Sequence, residues 1–500
     1  MVDVLLAHSF FLRNDARQLE KMKPYAPLGT LYAASHLRQS GHDVTLFDAM
    51  LAEGVEDFQE ILNRTKPRIV AFHEDQFHFL NKMCLGHSRQ ALCRMSELSR
   101  EQGATVIASG SDLSDHPEVY FRRGVEYVLA GESDHTLVEL VGALTGKSDT
   151  PISSIAGLAL PDATSALGYR KTKSRNPERH PDVFPFPAWD LLDAEKYRSA
   201  WKRTHGYYSV NMVSTRGCPF HCNWCAKPIW GQRYAMRSPA NVAEEMAVVK
   251  RTVQPDHIWF ADDIFGLQPK WVAEFAKEVA ARDAATPFMI QSRVDLMTEQ
   301  AIEGLARAGC AEVWLGAESG SQRILDAMDK GTDVAEIPAV RAKLREAGIR
   351  ACFFIQFGYP GETMEEIMAT VHMVRDCLPD DIGVSVSNPL PGTRFHEMVK
   401  QELGEKDHWD ESNDLAMMFQ GTYQTDFYRT LHKLLHRDLT VRQKLAKDPA
   451  CAESLRAKED LDVAWRELAN TEARHRSLNP TPMRKQYDLI AAPDLSRRWN

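Results

Sequence analysis

Apolar residues over the first 145 positions fall in short runs separated by stretches with helical spacing. Residues 2–6, 44–47, 68–72, 105–109 and 127–129 are rich in branched and aliphatic side chains, as strands are. Residues 28–39 repeat their apolar positions at helical spacing. They stop at Ser40-Gly41, where glycine takes the left-handed backbone that ends a helix. Strands joined through helices run parallel, so this part predicts a doubly wound open sheet with its ligand loops at the strand carboxyl ends. Those ends carry Ala7-His8-Ser9, Phe72-His73-Glu74-Asp75, Ser109-Gly110-Ser111 and Ala130-Gly131-Glu132.

The pattern then changes. Pro151, Pro161, Pro177, Pro181, Pro185 and Pro187 punctuate a stretch with few periodic runs, read as an extended connection with a small hairpin near 155–160. A second alternating series follows. Its strands are predicted at 209–214, 257–261, 288–291, 312–316, 351–357 and 382–387, and its helices at 239–250, 270–281, 298–308, 334–347 and 364–377. Six strand–helix repeats predict a parallel sheet rolled into a partial or full β/α barrel, again with its active face at the strand carboxyl ends. After about residue 400 the chain becomes charged and helical, with aromatics at Trp409, Phe419, Tyr423, Phe427 and Tyr428. The expected fold class is α/β. Residues 1–148 form the doubly wound domain, 149–205 a proline-rich connector, 206–400 the barrel and 401–500 a helical C-terminal region.

Composition narrows the function. A hydrophobic content of 44% is enough for real cores, and a net charge of −9 argues against a general nucleic-acid binder, which needs a basic face. No apolar run is long enough to span a bilayer, and residues 1–6 lack the pattern of a secretory signal. The nine cysteines are odd in number and mostly scattered, which reads as reduced thiols in a cytoplasmic protein.

Three of those cysteines are close together. The string Thr215-Arg216-Gly217-Cys218-Pro219-Phe220-His221-Cys222-Asn223-Trp224-Cys225 places thiols at C-x3-C-x2-C spacing directly after the first strand of the second series. A loop of this length can wrap three thiolates around one [4Fe-4S] cubane. Each iron normally takes one thiolate, so one iron is left open. An open iron can chelate the amino and carboxylate groups of S-adenosylmethionine (SAM) and pass an electron to its sulfonium, giving a deoxyadenosyl radical. Cys218, Cys222 and Cys225 are thus the expected metal ligands and catalytic residues. The same cysteines with His221 also make a Cys3His zinc set, although His221 adjoins Cys222, which strains a shared tetrahedron.

With that motif the chain resembles the radical SAM superfamily, where the aromatic before the third cysteine, here Trp224, lies near the SAM adenine. Other strand-end strings resemble the superfamily too: 258–265, 291–295, 316–321, 357–363 and 388–393. Their chemistry fits a SAM site. Asp262, Asp263 and Glu318, with Ser319, suit the SAM amino group or ribose, and Arg293 suits its carboxylate. Gly358 lets backbone approach a ligand closely. Each of these residues also has a plain reading as a helix cap or turn.

The first domain resembles the cobalamin domains that precede many such barrels. The resemblance rests on Pro27-Leu28-Gly29-Thr30-Leu31-Tyr32-Ala33-Ala34, on Gly41-His42-Asp43-Val44, and on 124–140. It implies that corrin and nucleotide tail are gripped by loops near His8, near residues 73–76, near Ser109, Gly110, Ser111 and Asp112, and near Gly131 and Glu132. The D-x-H-x-x-G motif that supplies a histidine to cobalt is absent, so no histidine from that motif ligates the metal. His73 and His78 read as loop or surface residues. A degenerate domain without cobalamin is the plain alternative.

The nearest group by resemblance is that of the anaerobic magnesium-protoporphyrin IX monomethyl ester cyclases, echoed again at 417–428 and 431–432. The resemblance implies a cobalamin-dependent radical SAM enzyme acting on a small biosynthetic molecule. The reaction is methyl transfer to an unactivated carbon, or radical oxidation or cyclisation. The electron donor is a reducing partner such as flavodoxin or ferredoxin. Two other readings are a tRNA methylthiotransferase, for which Cys84 and Cys93 supply too few ligands for a second cluster, and a non-enzymatic cluster-binding protein.

Overall fold

The computed structural model describes residues 2–78, 85–227, 229–404 and 415–483. Cys84 and Trp409 lie outside the described residues. The first sheet contains β1 (Val4–Ala7), β2 (Val44–Phe47), β3 (Ile69–His73), β4 (Thr105–Ser109) and β5 (Tyr127–Leu129), all parallel, in the order β2-β1-β3-β4-β5. Alternate residues of β3 serve opposite faces. Val70 and Phe72 join Phe47, Phe58 and Val106 in one core, while Ile69 and Ala71 join Leu6, Ile107 and Leu129 in another. Helices cover both faces, which makes the sheet doubly wound. The strand order turns back between β1 and β3, so the ligand crevice of such a sheet lies beyond their carboxyl ends.

The proline-rich stretch is partly sheet. β6 (Leu158–Pro161) and β7 (Tyr169–Lys171) form an antiparallel hairpin that pairs with β5 and extends the sheet to seven strands. The helix Ala194–His205 follows, capped by Asp193 and ended by Gly206. Its Trp201 is fully buried and donates to the Pro24 carbonyl at 2.6 Å, so the first domain's loop is fixed to the start of the second.

The second sheet begins with β8 (Ser209–Met212), followed by the short antiparallel pair β9 (Thr215–Arg216) and β10 (Ala235–Met236) that frames the cysteine loop. Next come β11 (His257–Phe260), β12 (Phe288–Ser292), β13 (Cys310–Glu318), β14 (Arg350–Phe357) and β15 (Asp381–Val386). The order is β15-β14-β13-β12-β11-β8, all parallel, with β15 and β8 as edges, so the barrel is partial. Local chemistry sets the helix starts. Ser238 and Thr298 cap their helices through side-chain oxygens, and Thr363 with Glu366 forms a capping box.

The C-terminal region is an antiparallel helix pair, Thr425–Lys447 and Ala452–Asn470. Buried Asp438 ties the pair to the barrel, accepting from Arg375 at 2.7 Å and from Trp465 at 3.0 Å. Among the described residues, no helix is long and apolar enough to cross a membrane.

Candidate active site

The cysteine loop leaves β9 through Gly217, whose φ is +79° and whose Cβ position is filled by the Arg233 carbonyl oxygen. Only glycine fits there. Cys218 is buried, and Cys222 and Cys225 are half-buried; none forms a disulfide. Burial pushes the Cys218 thiol up. Burial and then the Asp263 carboxylate push Cys225 up to about 12, with Lys227 acting against them and the other two thiols adding to the rise. The three sulfurs therefore sense one another's charge. A cationic iron cluster reverses that balance, because a coordinated thiol is held deprotonated, so this donor set fits such a cluster. Among the described residues, no three His, Cys, Asp or Glu side chains converge on one metal ion. His221 is exposed while Cys218 is buried, which disfavours a Cys3His site.

Asn223, which the sequence did not single out, locks the loop to the barrel. Its N–H donates to the Met328 carbonyl at 3.0 Å and its amide nitrogen to the Ala327 carbonyl at 2.7 Å. Its Oδ1 lies 3.1 Å from the Tyr359 hydroxyl, and its carbonyl accepts from Phe395 N at 3.0 Å. Both backbone groups and both side-chain groups are engaged. Nothing in the residue type signals this, because all four partners are distant in sequence.

Of the predicted strand-end residues, Asp262, Asp263 and Arg293 lie against the cysteine loop or the strand that launches it, and Glu318, Ser319 and Gly358 make contacts elsewhere in the barrel. Asp262 is buried, and both its oxygens are engaged where β8 passes into β9: Ser214 N and Thr215 N donate at 2.8 Å, and Ser214 Oγ at 2.6 Å. Burial raises its carboxyl to about 6, against these donors. Asp263 is exposed beside the thiols. The Arg293 guanidinium lies 3.8 Å over the Phe220 ring and 3.9 Å from Cys222 Sγ, and it pairs with Asp295 at 2.8 Å. Glu318 sits in the left-handed region at φ +57° where the β13–β14 register shifts, paired with Lys330 at 2.8 Å. Ser319 Oγ lies 3.2 Å from Thr370 Oγ1 and caps the turn at Ser321. Gly358, at φ +75°, donates to Glu362 at 2.6 Å.

At the first sheet, a small cleft opens at the ends of β1, β3 and β4, between Ser9, Glu74, Gly110, Ser111, Asp112 and Arg89. Ser109 Oγ, on the last residue of β4, is buried without a hydrogen-bond partner, and the Cβ position of Gly131 faces open space. An incoming group with polar atoms and a bulky face fits these features. His8 is buried and held between Asp48 Oδ1 at 2.9 Å and Ala49 N at 3.0 Å. Glu132 accepts from Arg216 at 2.6 Å, Trp230 at 3.1 Å and Glu178 N at 2.6 Å, which makes it a junction between sheet and cysteine loop. His73 and His78 are buried, at 2% and 5% exposure, where the sequence suggested loop or surface positions. His73 is the last residue of β3 and bonds Ser133 at 2.9 Å, and His78 packs edge-on against Trp259.

Residues 212–374 match the profile of the Radical SAM superfamily. An uncharacterised methyltransferase of Pyrococcus horikoshii is 28% identical over 74% of this chain and 78% of its own length. The anaerobic magnesium-protoporphyrin IX monomethyl ester cyclase of Rubrivivax gelatinosus is 26% identical over 76% of this chain and 67% of its own. The structure of the radical SAM methyltransferase TsrM from Kitasatospora setae, with cobalamin and a [4Fe-4S] cluster bound, aligns with a TM-score of 0.64 at 20% identity, covering 81% of this chain and 79% of that one. The two chains share their overall fold, and the profile match falls on the barrel that frames the cysteine loop. Residues 212–374 form a radical SAM domain, the part of an enzyme whose cofactors are a [4Fe-4S] cluster and SAM.

Proposed function

We propose that this chain is a cobalamin-dependent radical SAM enzyme that transfers a methyl group to an unactivated carbon of a small biosynthetic molecule. Cys218, Cys222 and Cys225 hold the cluster. Trp224, Asp263, Arg293, Glu318 and Gly358 surround SAM, while Asp262 and Ser319 shape the loops that receive it. The first sheet holds cobalamin through the cleft at Ser109, Gly110 and Ser111 and the open space at Gly131. Bound together, the cluster supplies a low-potential electron and cobalamin a transferable methyl group. The protein's own part is to orient these groups and exclude water.

One observation carries this reading. Arg216, two residues before Cys218, forms a buried ion pair with Glu132 at the carboxyl end of β5. That bond ties the loop after β5 to the strand that launches the cysteine loop, which supports placing two cofactors close to each other there. The Pyrococcus relative and TsrM are both named methyltransferases, which supports methyl transfer, and the Rubrivivax cyclase makes cyclisation the second outcome. Radical SAM enzymes need a reductant, for which flavodoxin or ferredoxin is the proposed class.

Anaerobic reconstitution with hydroxocobalamin tests the cobalamin assignment. One corrin per chain should survive gel filtration, and its Co(II) spectrum should lack nitrogen coupling from a protein imidazole, since His8 is held by Asp48 and Ala49. Loss of all corrin with SAM cleavage intact would leave a radical SAM enzyme without cobalamin.

A further inference from the structure

The inner face of the barrel points to the kind of molecule the enzyme takes. Along β12, and along β15 after exposed Asp381, residues alternate between buried and half-buried. The buried set, including Ile290, Val384 and Val386, packs toward the helices. The half-buried set faces the lumen: Met289 and Gln291 on β12, Trp314 on β13, Phe354 on β14, Gly383 and Ser385 on β15. Trp314 and Phe354 lie side by side, with ring centroids 4.8 Å apart and planes tilted by 30°. A Cβ at Gly383 would stand 3.2 Å from both rings, so the glycine lets them lie flat across three strands.

The indole N–H of Trp314 is already bonded to Glu312 at 2.6 Å. What the pair offers the lumen is therefore ring face, not a hydrogen bond. Offset or tilted stacking is the interaction such faces make best. Of the nearby polar groups, Gln291 and Ser385 are uncharged, and the Glu312 carboxylate is taken up by the Trp314 indole and by Arg350 at 2.8 Å. Trp314 lies four residues before Glu318 on one strand, about 13 Å below the barrel mouth. A molecule resting on the pair would extend up to the reaction centre.

From this we infer that the lumen holds a flat, unsaturated ring system of the substrate against Trp314 and Phe354. The inference rests on the reaction centre proposed above, and adds to it the substrate class. It is tested on the anaerobically reconstituted protein by titration calorimetry with flat probes of rising size (indole, acridine, protoporphyrin IX) and with deoxycholate as a saturated, non-planar control. At least one flat probe should bind about tenfold more tightly than deoxycholate, and Trp314→Leu should weaken it by about tenfold, the scale of a lost stacking contact plus its buried area. Phe354→Leu repeats the test from the neighbouring strand should the first variant fail to fold. Equal binding of deoxycholate, no binding by any flat probe, or flat-probe binding untouched by both variants overturns the inference. Flat-probe binding that the variants weaken, in a protein that holds no cluster and cleaves no SAM, would instead overturn the reaction centre and leave the platform standing.

Discussion

Arg216 Nη1 lies 2.6 Å from Glu132 Oε1 and 2.9 Å from Asp134 Oδ2, with all three side chains at most 5% exposed. The strand that launches the cysteine loop is thereby bonded to the carboxyl end of the first sheet. The Phe184 ring stacks on the same guanidinium at 4.0 Å. Although burial works against the Asp134 charge, Arg216 holds that carboxyl below its usual range.

Arg216→Ala would leave two carboxylates buried without their cation. Breaking a buried pair in this way costs about 3–5 kcal/mol. The variant should lose that much in denaturant unfolding, and any corrin retained by the wild type should be held more weakly. Arg216→Ala with unchanged stability would show that the junction does not hold the two sheets together.

Asn223→Ala removes the amide nitrogen that binds the Ala327 carbonyl and the oxygen beside Tyr359. The cysteines remain, so iron should still load to about four atoms per chain, one cubane. The loop's registry on the barrel should loosen. We expect the shift in the reduced cluster's paramagnetic signal on SAM addition to weaken or vanish, with recovery toward wild type in Asn223→Asp, which keeps the oxygen. A normal SAM-dependent shift in the alanine variant would remove Asn223 from the positioning of the cluster.

Glu362 is fully buried, receives the Gly358 N–H at 2.6 Å, and is raised by burial to about 8. Its folded pKa lies above the unfolded value of about 4.3, so the native state binds the proton more tightly. Its contribution to stability is fully present below the unfolded pKa and is lost as pH rises through about 8. Glu362→Gln keeps an acceptor for Gly358 without the ionisation. Relative to this variant, the melting temperature of the wild type should fall between pH 5 and 8.5. Parallel melting curves over that range would contradict the burial argument.

Cys310 and Cys352 are buried thiols in the second sheet, raised by burial beyond the normal thiol range. Cys93 is buried in the first domain's core, with its thiol also raised by burial. These cysteines behave as small apolar side chains. Iron analysis of reconstituted protein should give about four atoms per chain, and a reproducible value near eight would point to a second cluster.

The parts legible in the sequence were those written locally. The helix Leu28–Gln39 has the predicted bounds, because its apolar spacing and the Ser40-Gly41 stop are both local signals. The strand order of neither sheet was readable, but parallel pairing followed from the intervening helices. The hairpin of β6 and β7 was blurred by surrounding prolines, and its pairing with β5 is a long-range choice. The cysteines stood out through their spacing. Asn223 and Arg216 did not, since their partners lie 82 to 172 positions away or across separate strands. Asp262 was read as a ligand group because a buried carboxylate at a strand end suits either role; only the donors from Ser214 and Thr215 separate the two.

The central claim is that Cys218, Cys222 and Cys225 hold a cluster that activates SAM. The most direct measurement incubates the anaerobically reconstituted protein with SAM, dithionite and hydroxocobalamin, and quantifies 5′-deoxyadenosine and S-adenosylhomocysteine beside the variant with all three cysteines changed to alanine. The account predicts SAM-derived product from the wild type, and neither product nor cluster absorbance from the triple variant. Equal product from both proteins, or full iron in the triple variant, would contradict it.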